Sequence, residues 1–173
     1  SLVIAASTSV IANAAQLDQV ASSGDGATVV RGLNTSTVDL SELNSTTVTL
    51  DIESSNASVG SGFDLAGRAY QITGTGELDL TSATLNSSAS YSLATADSDL
   101  KINASDATAT AITGSGTVTI ANLQGGTDLS NVTAATTVQL AGNVTFTGTF
   151  NASTAVTFDT NSNGTARTID ITG

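Results

Sequence analysis

The chain has 173 residues and contains no Cys, His, Met, Trp or Pro. Without His and Cys it lacks the usual general base, the nucleophilic thiol and the common ligands of transition metals. A carboxylate pair could still hydrolyse a glycoside, but the aromatic platforms that hold sugars are scarce, so we expect no enzymatic activity. With a net charge of −11 and four Lys and Arg, the chain is not expected to bind nucleic acid.

The residue composition also indicates the cellular location of the chain. Lys is scarce, Thr, Ser and Gly are abundant, and no apolar run approaches the roughly 18 residues of a membrane-spanning helix. The absence of Met predicts a processed chain or a piece of a longer one. We expect a secreted or cell-surface protein without a membrane span.

The first predicted elements lie within residues 1–26. Asn13–Ala21 is the one predicted helix, about two turns long, with Asn13 as its N-cap and Gly24 beyond its end. Residues 1–26 are interpreted as an N-terminal cap or as a donor segment. They belong to a single repetitive β domain that spans residues 1–173.

Beyond this segment, apolar residues alternate with polar ones in short runs. Period-2 alternation is typical of half-buried strands, and Gly, Asn, Ser or Asp bracket each run as turn residues. The sequence therefore predicts an all-β chain of many short strands. The apolar positions are Val38/Leu40, Val48/Leu50/Ile52, Tyr70/Ile72, Leu78/Leu80, Tyr91/Leu93, Leu100/Ile102, Val118/Ile120, Val138/Leu140, Val144/Phe146, Val156/Phe158 and Ile169/Ile171.

Internal repetition suggests how these strands are arranged. The segment Ile72–Leu80 matches Ile112–Ile120 at an offset of 40 residues, and Leu33–Leu40 is a fainter copy. Strands near the half-period give a coil of about 20 residues, which predicts a parallel β-helix or β-solenoid of roughly eight coils. The alternative is a β-sandwich or jelly-roll fibre subunit, in which residues 1–16 complete the sheet of a neighbouring subunit.

Three segments resemble the repeat regions of Gram-negative S-layer proteins and of large type-I-secreted bacterial surface proteins. They are Ile112–Ile120, Asp128–Ala134 and Val138–Gly142, and the short helix before a Gly turn is also similar. The resemblance implies a surface coat or adhesive matrix that often depends on Ca²⁺. The calcium-binding Gly-Gly-x-Gly-x-Asp nonapeptide of such repeats is absent, and Gly125-Gly126-Thr127-Asp128 comes nearest to it. No cofactor is therefore expected to be required, with Ca²⁺ as the one ion that the resemblance suggests.

Pairs of carboxylates at alternate positions could chelate a hard cation such as Ca²⁺, because alternate residues of a strand share a face. They could equally form the solvated outer face of a strand. The pairs are Asp51/Glu53, Glu77/Asp79 and Asp97/Asp99. Asp97 and Asp99 lie in a turn-like stretch and are the predicted metal ligands.

Nine of the twelve Asn residues stand in Asn-x-Ser/Thr motifs. Such motifs are N-glycosylation acceptors in secreted chains, and they also suit turns that stack Asn side chains. We keep both interpretations. The candidate glycosylation sites are Asn34, Asn44, Asn56, Asn86, Asn103, Asn131, Asn143, Asn151 and Asn163.

The sequence thus predicts a structural cell-surface or extracellular protein that self-assembles with copies of itself into an S-layer, filament or matrix. One alternative is a strand-exchange pilus or thread subunit that uses residues 1–16. Another is an ice- or polysaccharide-binding adhesin module, with cell-surface polysaccharide as the partner. Thr-x-Thr pairs such as Thr117/Thr119 would suit an ice-binding array, but their offsets along the chain are irregular.

Overall fold

A computed structural model describes residues 2–3, 9–17, 22–23, 26–34, 37–40, 42–43, 47–53, 56–65, 67–151, 154–159 and 166–171. The chain is all-β, with 53% strand and 6% helix among the described residues, and winds as a β-solenoid of about 6 turns with coils of about 21 residues. The predicted fold class is confirmed. The β-sandwich alternative is wrong, because the paired strands run parallel whereas a sandwich is built from antiparallel sheets.

The elements follow one another as short strands broken by two helical turns. In chain order they are β1 (Leu2–Val3), β2 (Ser9–Asn13), α1 (Ala14–Leu17), β3 (Ser22–Ser23), β4 (Ala27–Arg31), β5 (Thr37–Asp39), β6 (Thr47–Asp51), β7 (Ala57–Ser58), β8 (Gly62–Asp64), β9 (Ala69–Thr73), β10 (Gly76–Asp79), β11 (Ser90–Leu93), β12 (Ser98–Asn103), α2 (Ala104–Ala107), β13 (Ile112–Gly114), β14 (Thr117–Leu123), β15 (Asp128–Leu129), β16 (Ala135–Leu140), β17 (Val144–Phe146), β18 (Thr149–Phe150), β19 (Val156–Asp159) and β20 (Ile169–Ile171).

Two six-stranded sheets form the long sides of the solenoid. Sheet 1 has the order β13-β11-β9-β6-β4-β2, and sheet 2 has the order β19-β16-β14-β12-β10-β7. Sheet 1 begins at Ser9 and ends at Gly114, whereas sheet 2 begins at Ala57 and ends at Asp159. The two sheets are therefore offset along the chain. Each sheet has six strands, which corresponds to about 6 turns instead of the eight that the sequence predicted.

The core consists of rows of inward side chains that stack from coil to coil. In sheet 1, Tyr70 lies between Val48 and Tyr91, and in sheet 2 Leu100 lies between Leu78 and Val118. All six are at most 3% exposed. The tyrosine rings stack with their centroids 5.9 Å apart. Each row is one inward position of the alternating pattern of the sequence, repeated from coil to coil. Most of these inward positions hold aliphatic residues.

A third side of the coil is built from shorter pieces. β5 pairs with β8, Asp64 forms a single bridge with Thr84, and β15 pairs with β18. Between Thr84 and Asp128 the helix α2 interrupts this side, and its Ala104 and Ala107 are buried. The third side therefore has an irregular outline at α2, unlike the two long sheets.

The described part of the predicted N-terminal helix forms one helical turn. α1 covers Ala14–Leu17, and the side-chain Oε1 of Gln16 accepts a hydrogen bond from the backbone N–H of Asn13 at 2.9 Å. That bond is half of a capping box, in which the third helical residue reaches back to the N-cap. Part of the predicted range, residues 18–21, lies outside the described residues. Within the part of the chain that is described, no helix is long and apolar enough to cross a membrane.

Candidate functional site

Asparagine side chains connect successive coils at the corners of the solenoid. In one group the amide oxygen accepts a hydrogen bond from the backbone N–H of a residue 21 to 25 positions later. This distance along the chain is about one coil. The bonds run from Ser58 N to Asn34 Oδ1 (2.8 Å), from Glu77 N to Asn56 Oδ1 (3.0 Å) and from Thr168 N to Asn143 Oδ1 (3.0 Å).

A second group donates in the opposite direction along the chain. Here the amide nitrogen gives a hydrogen bond to the backbone carbonyl of a residue about one coil earlier. These bonds run from Asn103 to Thr81 O (2.7 Å), from Asn131 to Ala109 O (3.2 Å) and from Asn151 to Ser130 O (2.8 Å).

These bonds bear directly on the predicted glycosylation sites. A sugar would be attached to the side-chain amide nitrogen. In the first group the bond to the next coil uses the amide oxygen and does not involve this nitrogen. In the second group this nitrogen donates the bond. Among the described residues, the Asn86 side chain takes part in a single hydrogen bond, which it accepts locally from Ser88 N at 2.9 Å. Asn44 and Asn163 lie outside the described residues. Glycosylation stays a prediction, and the geometry supplies a structural reason for these asparagines that needs no sugar.

One member of this network was missed by sequence reasoning. Asn122 lies outside any Asn-x-Ser/Thr motif, yet its Nδ2 donates to Asn103 Oδ1 at 2.9 Å and so joins two asparagines of neighbouring coils side by side. Asn122 also adopts a positive φ of 57°, which Asn tolerates better than most residues. An isolated Asn carries no sequence signal for this role.

Two of the predicted carboxylate pairs are occupied by contacts within the chain. Asp51 Oδ2 forms an ion pair with Arg31 Nε at 2.9 Å, and its Oδ1 accepts from Glu53 N at 3.2 Å. Asp79 Oδ2 lies 3.2 Å from Lys101 Nζ, on the next strand of sheet 2. Each cation comes from an adjacent coil, so these pairs tie coils together as the asparagines do.

Asp79 is held in its charged form. Burial would by itself raise the pKa of this carboxyl, but hydrogen bonds from the hydroxyl and N–H of Thr81, at 2.6 and 2.9 Å, and the nearby Lys101 lower the pKa below its ordinary value of 3.8. The pKa of Asp128 is also lowered, through hydrogen bonds from Ser130. Both carboxylates therefore act as hydrogen-bond acceptors that fix a turn.

The predicted metal ligands Asp97 and Asp99 do not form a calcium site by themselves. Asp99 Oδ1 already accepts from Thr117 N at 2.8 Å, and Asp97 lies exposed in the turn before β12. Ca²⁺ takes six to eight oxygen ligands. Among the described residues, no three acidic, His or Cys side chains gather closely enough to hold a metal. Metal binding at this pair stays a prediction, with Glu77 as the register neighbour of Asp99.

Three threonines line up on the outer face of sheet 2. Thr119, Thr137 and Thr157 occupy one register position of three successive strands. The neighbouring row does not continue the pattern, because Thr117 lies beside Ala135. The irregular offsets of the Thr-x-Thr pairs thus hid a single aligned row.

No family model, curated protein or solved structure matches the chain. The resemblance to bacterial surface repeats therefore stays a prediction. The coil-to-coil network of Asn, Asp, Arg and Lys is the candidate functional feature, and what it can do is mechanical: it ties each coil to the next on the outside of an apolar core.

Proposed function

We propose that this chain is a structural cell-surface or extracellular protein that self-assembles into a layer, filament or matrix. The observation that carries the proposal is the coil-to-coil network, in which polar side chains at the corners bond to the backbone of the neighbouring coil. Backbone ladders alone hold many solenoids together. Added side-chain bonds at the corners make a rod resist bending and shear, which is what a load-bearing coat requires.

The end of the solenoid at β19 supports assembly. β19 is the last strand of sheet 2, and among the described residues none pairs with its outer edge. Beside it, Phe150 packs against Phe146 and Phe158, with ring centroids 4.5 and 5.6 Å apart, and both Phe150 and Phe158 are only partly buried. An open strand edge next to apolar surface is a template for pairing with another chain.

Electron microscopy of the purified chain, with Ca²⁺ and then with EDTA, tests this proposal. Ordered sheets or fibres in either buffer support self-assembly. Assemblies that dissolve in EDTA would in addition make Asp97 and Asp99 the first candidates for metal ligands. Monodisperse particles in both buffers, at concentrations up to those of a surface coat, would contradict assembly by this chain.

Strand exchange through residues 1–16 is the competing mode of assembly. β2 already pairs along its full length with β4 of its own chain, in register from Ser9–Ala27 to Asn13–Arg31. This internal pairing favours a solenoid strand over a donated one. Deleting residues 1–16 separates the two: fibres should persist if assembly uses the β19 end and should vanish if it uses the donor segment.

A second candidate function is ice binding, which the row Thr119, Thr137 and Thr157 favours. Strands of a sheet lie about 4.8 Å apart, so the row presents hydroxyl and methyl groups at a regular spacing. A thermal-hysteresis measurement tests it directly. Hysteresis that disappears in Thr137→Lys would support ice binding, and its absence in the unmodified chain would remove this candidate.

A further inference from the structure

A polar groove runs along both sides of α2, where the helix interrupts the third side of the solenoid. On one side a recess of about 90 Å³ is lined by Leu85, Asn86, Ser87, Ser105, Asp106 and Thr108. On the other side a recess of about 220 Å³ is lined by Ser105, Thr108, Gln124, Gly126 and Thr127. Because Ser105 and Thr108 belong to both, the two recesses form one groove that spans three successive coils.

Several hydrogen-bonding groups in the groove are unused. The hydroxyls of Ser87 and Ser105 and the side-chain amide of Gln124 are exposed to water and make no hydrogen bond with any residue that the structure describes. The carboxylate of Asp106 has Asn103 Nδ2 at 3.5 Å, the outer limit of a hydrogen bond. These groups contrast with the corner asparagines, whose side chains bond to the protein itself.

The backbone around the groove is fixed and locally strained. The N–H and hydroxyl of Thr108 both donate to Ala104 O, at 3.1 and 2.9 Å, and so close the helical turn. Ala109 follows Thr108 with a φ of 60°, in the left-handed region. A residue with a side chain is costly in this region, and such outliers concentrate where ligands are held.

The chemistry of the lining selects the class of ligand. Asp106 is the one ionisable side chain that lines either recess, and the chain carries a net charge of −11, so an anion would be repelled. Hydroxyl, amide and carboxylate groups pair with the hydroxyls of a sugar, each of which both donates and accepts. Both recesses are smaller than the pockets that enclose a ligand, so a sugar ring would lie on the groove with one face open to solvent.

We propose that the groove beside α2 binds a neutral saccharide through Ser87, Ser105, Asp106 and Gln124. The unused side chains of the lining supply the hydrogen bonds, and the strained turn at Ala109 holds them in place. No aromatic ring lines either recess, so binding rests on hydrogen bonds and is weak for one ring. A polymer gains affinity by repeating the contact along an assembled surface. Binding of a single saccharide to one chain does not depend on the assembly proposed above, whereas this gain for a polymer does.

Titration of the full ¹⁵N-labelled chain with saccharides, followed by NMR under conditions in which it stays dispersed, tests the groove. The probes are chitotriose and cellotriose as neutral ligands and trigalacturonate as an acidic one. We expect saturable shifts within residues 85–87, 104–109 and 122–127 with a neutral probe and none with trigalacturonate. The absence of shifts with both neutral probes, or shifts confined to other faces, would overturn the proposal.

A matched pair of variants localises the binding. Ser105→Trp fills the centre of the groove, whereas Ser92→Trp places the same ring on the exposed outer face of sheet 1. We expect Ser105→Trp to weaken the binding of the neutral probe at least tenfold and Ser92→Trp to leave it unchanged. Equal affinities in the two variants would show that the saccharide binds elsewhere and would refute the assignment.

Discussion

At the scale of single residues, asparagine suits the corners because its amide carries both a donor and an acceptor on a short side chain. It can therefore accept from the coil on one side, as Asn56 does, or donate to the coil on the other, as Asn103 does. Some Ser and Thr hydroxyls also reach the neighbouring coil, as Ser98 does in its bond to Gly74 O. The high frequency of Asn in this chain follows from this geometry.

Replacing Asn103 should destabilise the fold more than replacing a locally bonded asparagine. Asn103→Ala removes the bond to Thr81 O and leaves Asn122 without its acceptor, so we expect a loss of about 1–2 kcal/mol in the free energy of unfolding. Urea denaturation measures it. Asn86→Ala is the matched control, because among the described residues Asn86 bonds only to Ser88 and should cost less.

A further variant separates the bond from a sugar. Ser105→Ala destroys the Asn-x-Ser motif at Asn103 but leaves the amide and both of its bonds in place. In chains from a glycosylating host, Ser105→Ala should therefore keep the stability that Asn103→Ala loses. Equal losses in the two variants would mean that an attached glycan, and not the bond, provides the stabilisation.

The carboxylate of Asp79 predicts a pH dependence of stability. Its pKa in the folded chain lies below the ordinary 3.8, so its contribution is fully present above that value and is lost as the pH falls through the lower folded pKa. Asp79→Asn should thus lower the urea midpoint at about pH 7 and have less effect at about pH 3. A difference that stayed constant with pH would contradict this role for the charge.

At the scale of elements, the strands were predictable and their partners were not. Alternation located most inward residues, and the 40-residue repeat correctly placed Leu78 two coils from Val118. The prediction that Leu33–Leu40 repeats these segments was wrong, because Val38 belongs to β5 and pairs with Phe63 on the third side of the coil. Alternation reports that a residue points inward but does not report which side of the coil it occupies.

The variable coil length explains why the candidate sites could not be located from the sequence. Partners in sheet 2 are separated by 22 residues at Leu78–Leu100 but by 18 at Val118–Thr136. The coils differ in the number of residues in their corners and in the segment at α2, and this accounts for the difference in spacing. A sequence comparison at a fixed period therefore misses the aligned threonines, the bonds between asparagines and the groove, which all depend on the register between coils.

Gly114, the last residue of β13, lies at a tight corner and gives a prediction for this strand. Gly114 has φ 116°, and a Cβ there would collide with the backbone of Leu93 in the preceding coil. Gly114→Ala should therefore lower the free energy of unfolding by more than about 1 kcal/mol.

Gly142→Ala is the matched control for this variant, because nothing lies within 4 Å of the Cβ that it adds. It should be neutral or slightly stabilising, since alanine restricts the unfolded chain more than glycine does. Thermal and urea unfolding of both variants measure the contrast. Similar destabilisation by the two would show that the close approach of the coils at Gly114 does not limit the fold.

At the scale of the whole molecule, hydrogen bonding is directed along one axis. The backbone ladders, the corner asparagines and the two ion pairs all join one coil to the next. In such a stack each coil contacts mainly its neighbours, so the two ends differ from the middle in what they leave unpaired. We therefore expect copies of the chain to associate through the ends of the solenoid more than through its sides.

Two exposed isoleucines allow the β19 end to be tested against a side face. Both are 59% exposed, so replacing either should leave the fold intact. Ile171 lies in β20, in register with the buried Phe146, and so continues an inward row at the β19 end. Ile11 pairs with Val29 in a row whose half-exposed side chains point outward from sheet 1.

If copies associate through the β19 end, Ile171→Lys should abolish the assemblies seen by electron microscopy, because it places a charge in an apolar contact. Ile11→Lys should leave them intact. The reverse result would move the contact to the side of sheet 1, and assemblies unaffected by both variants would rule out the β19 end as the interface.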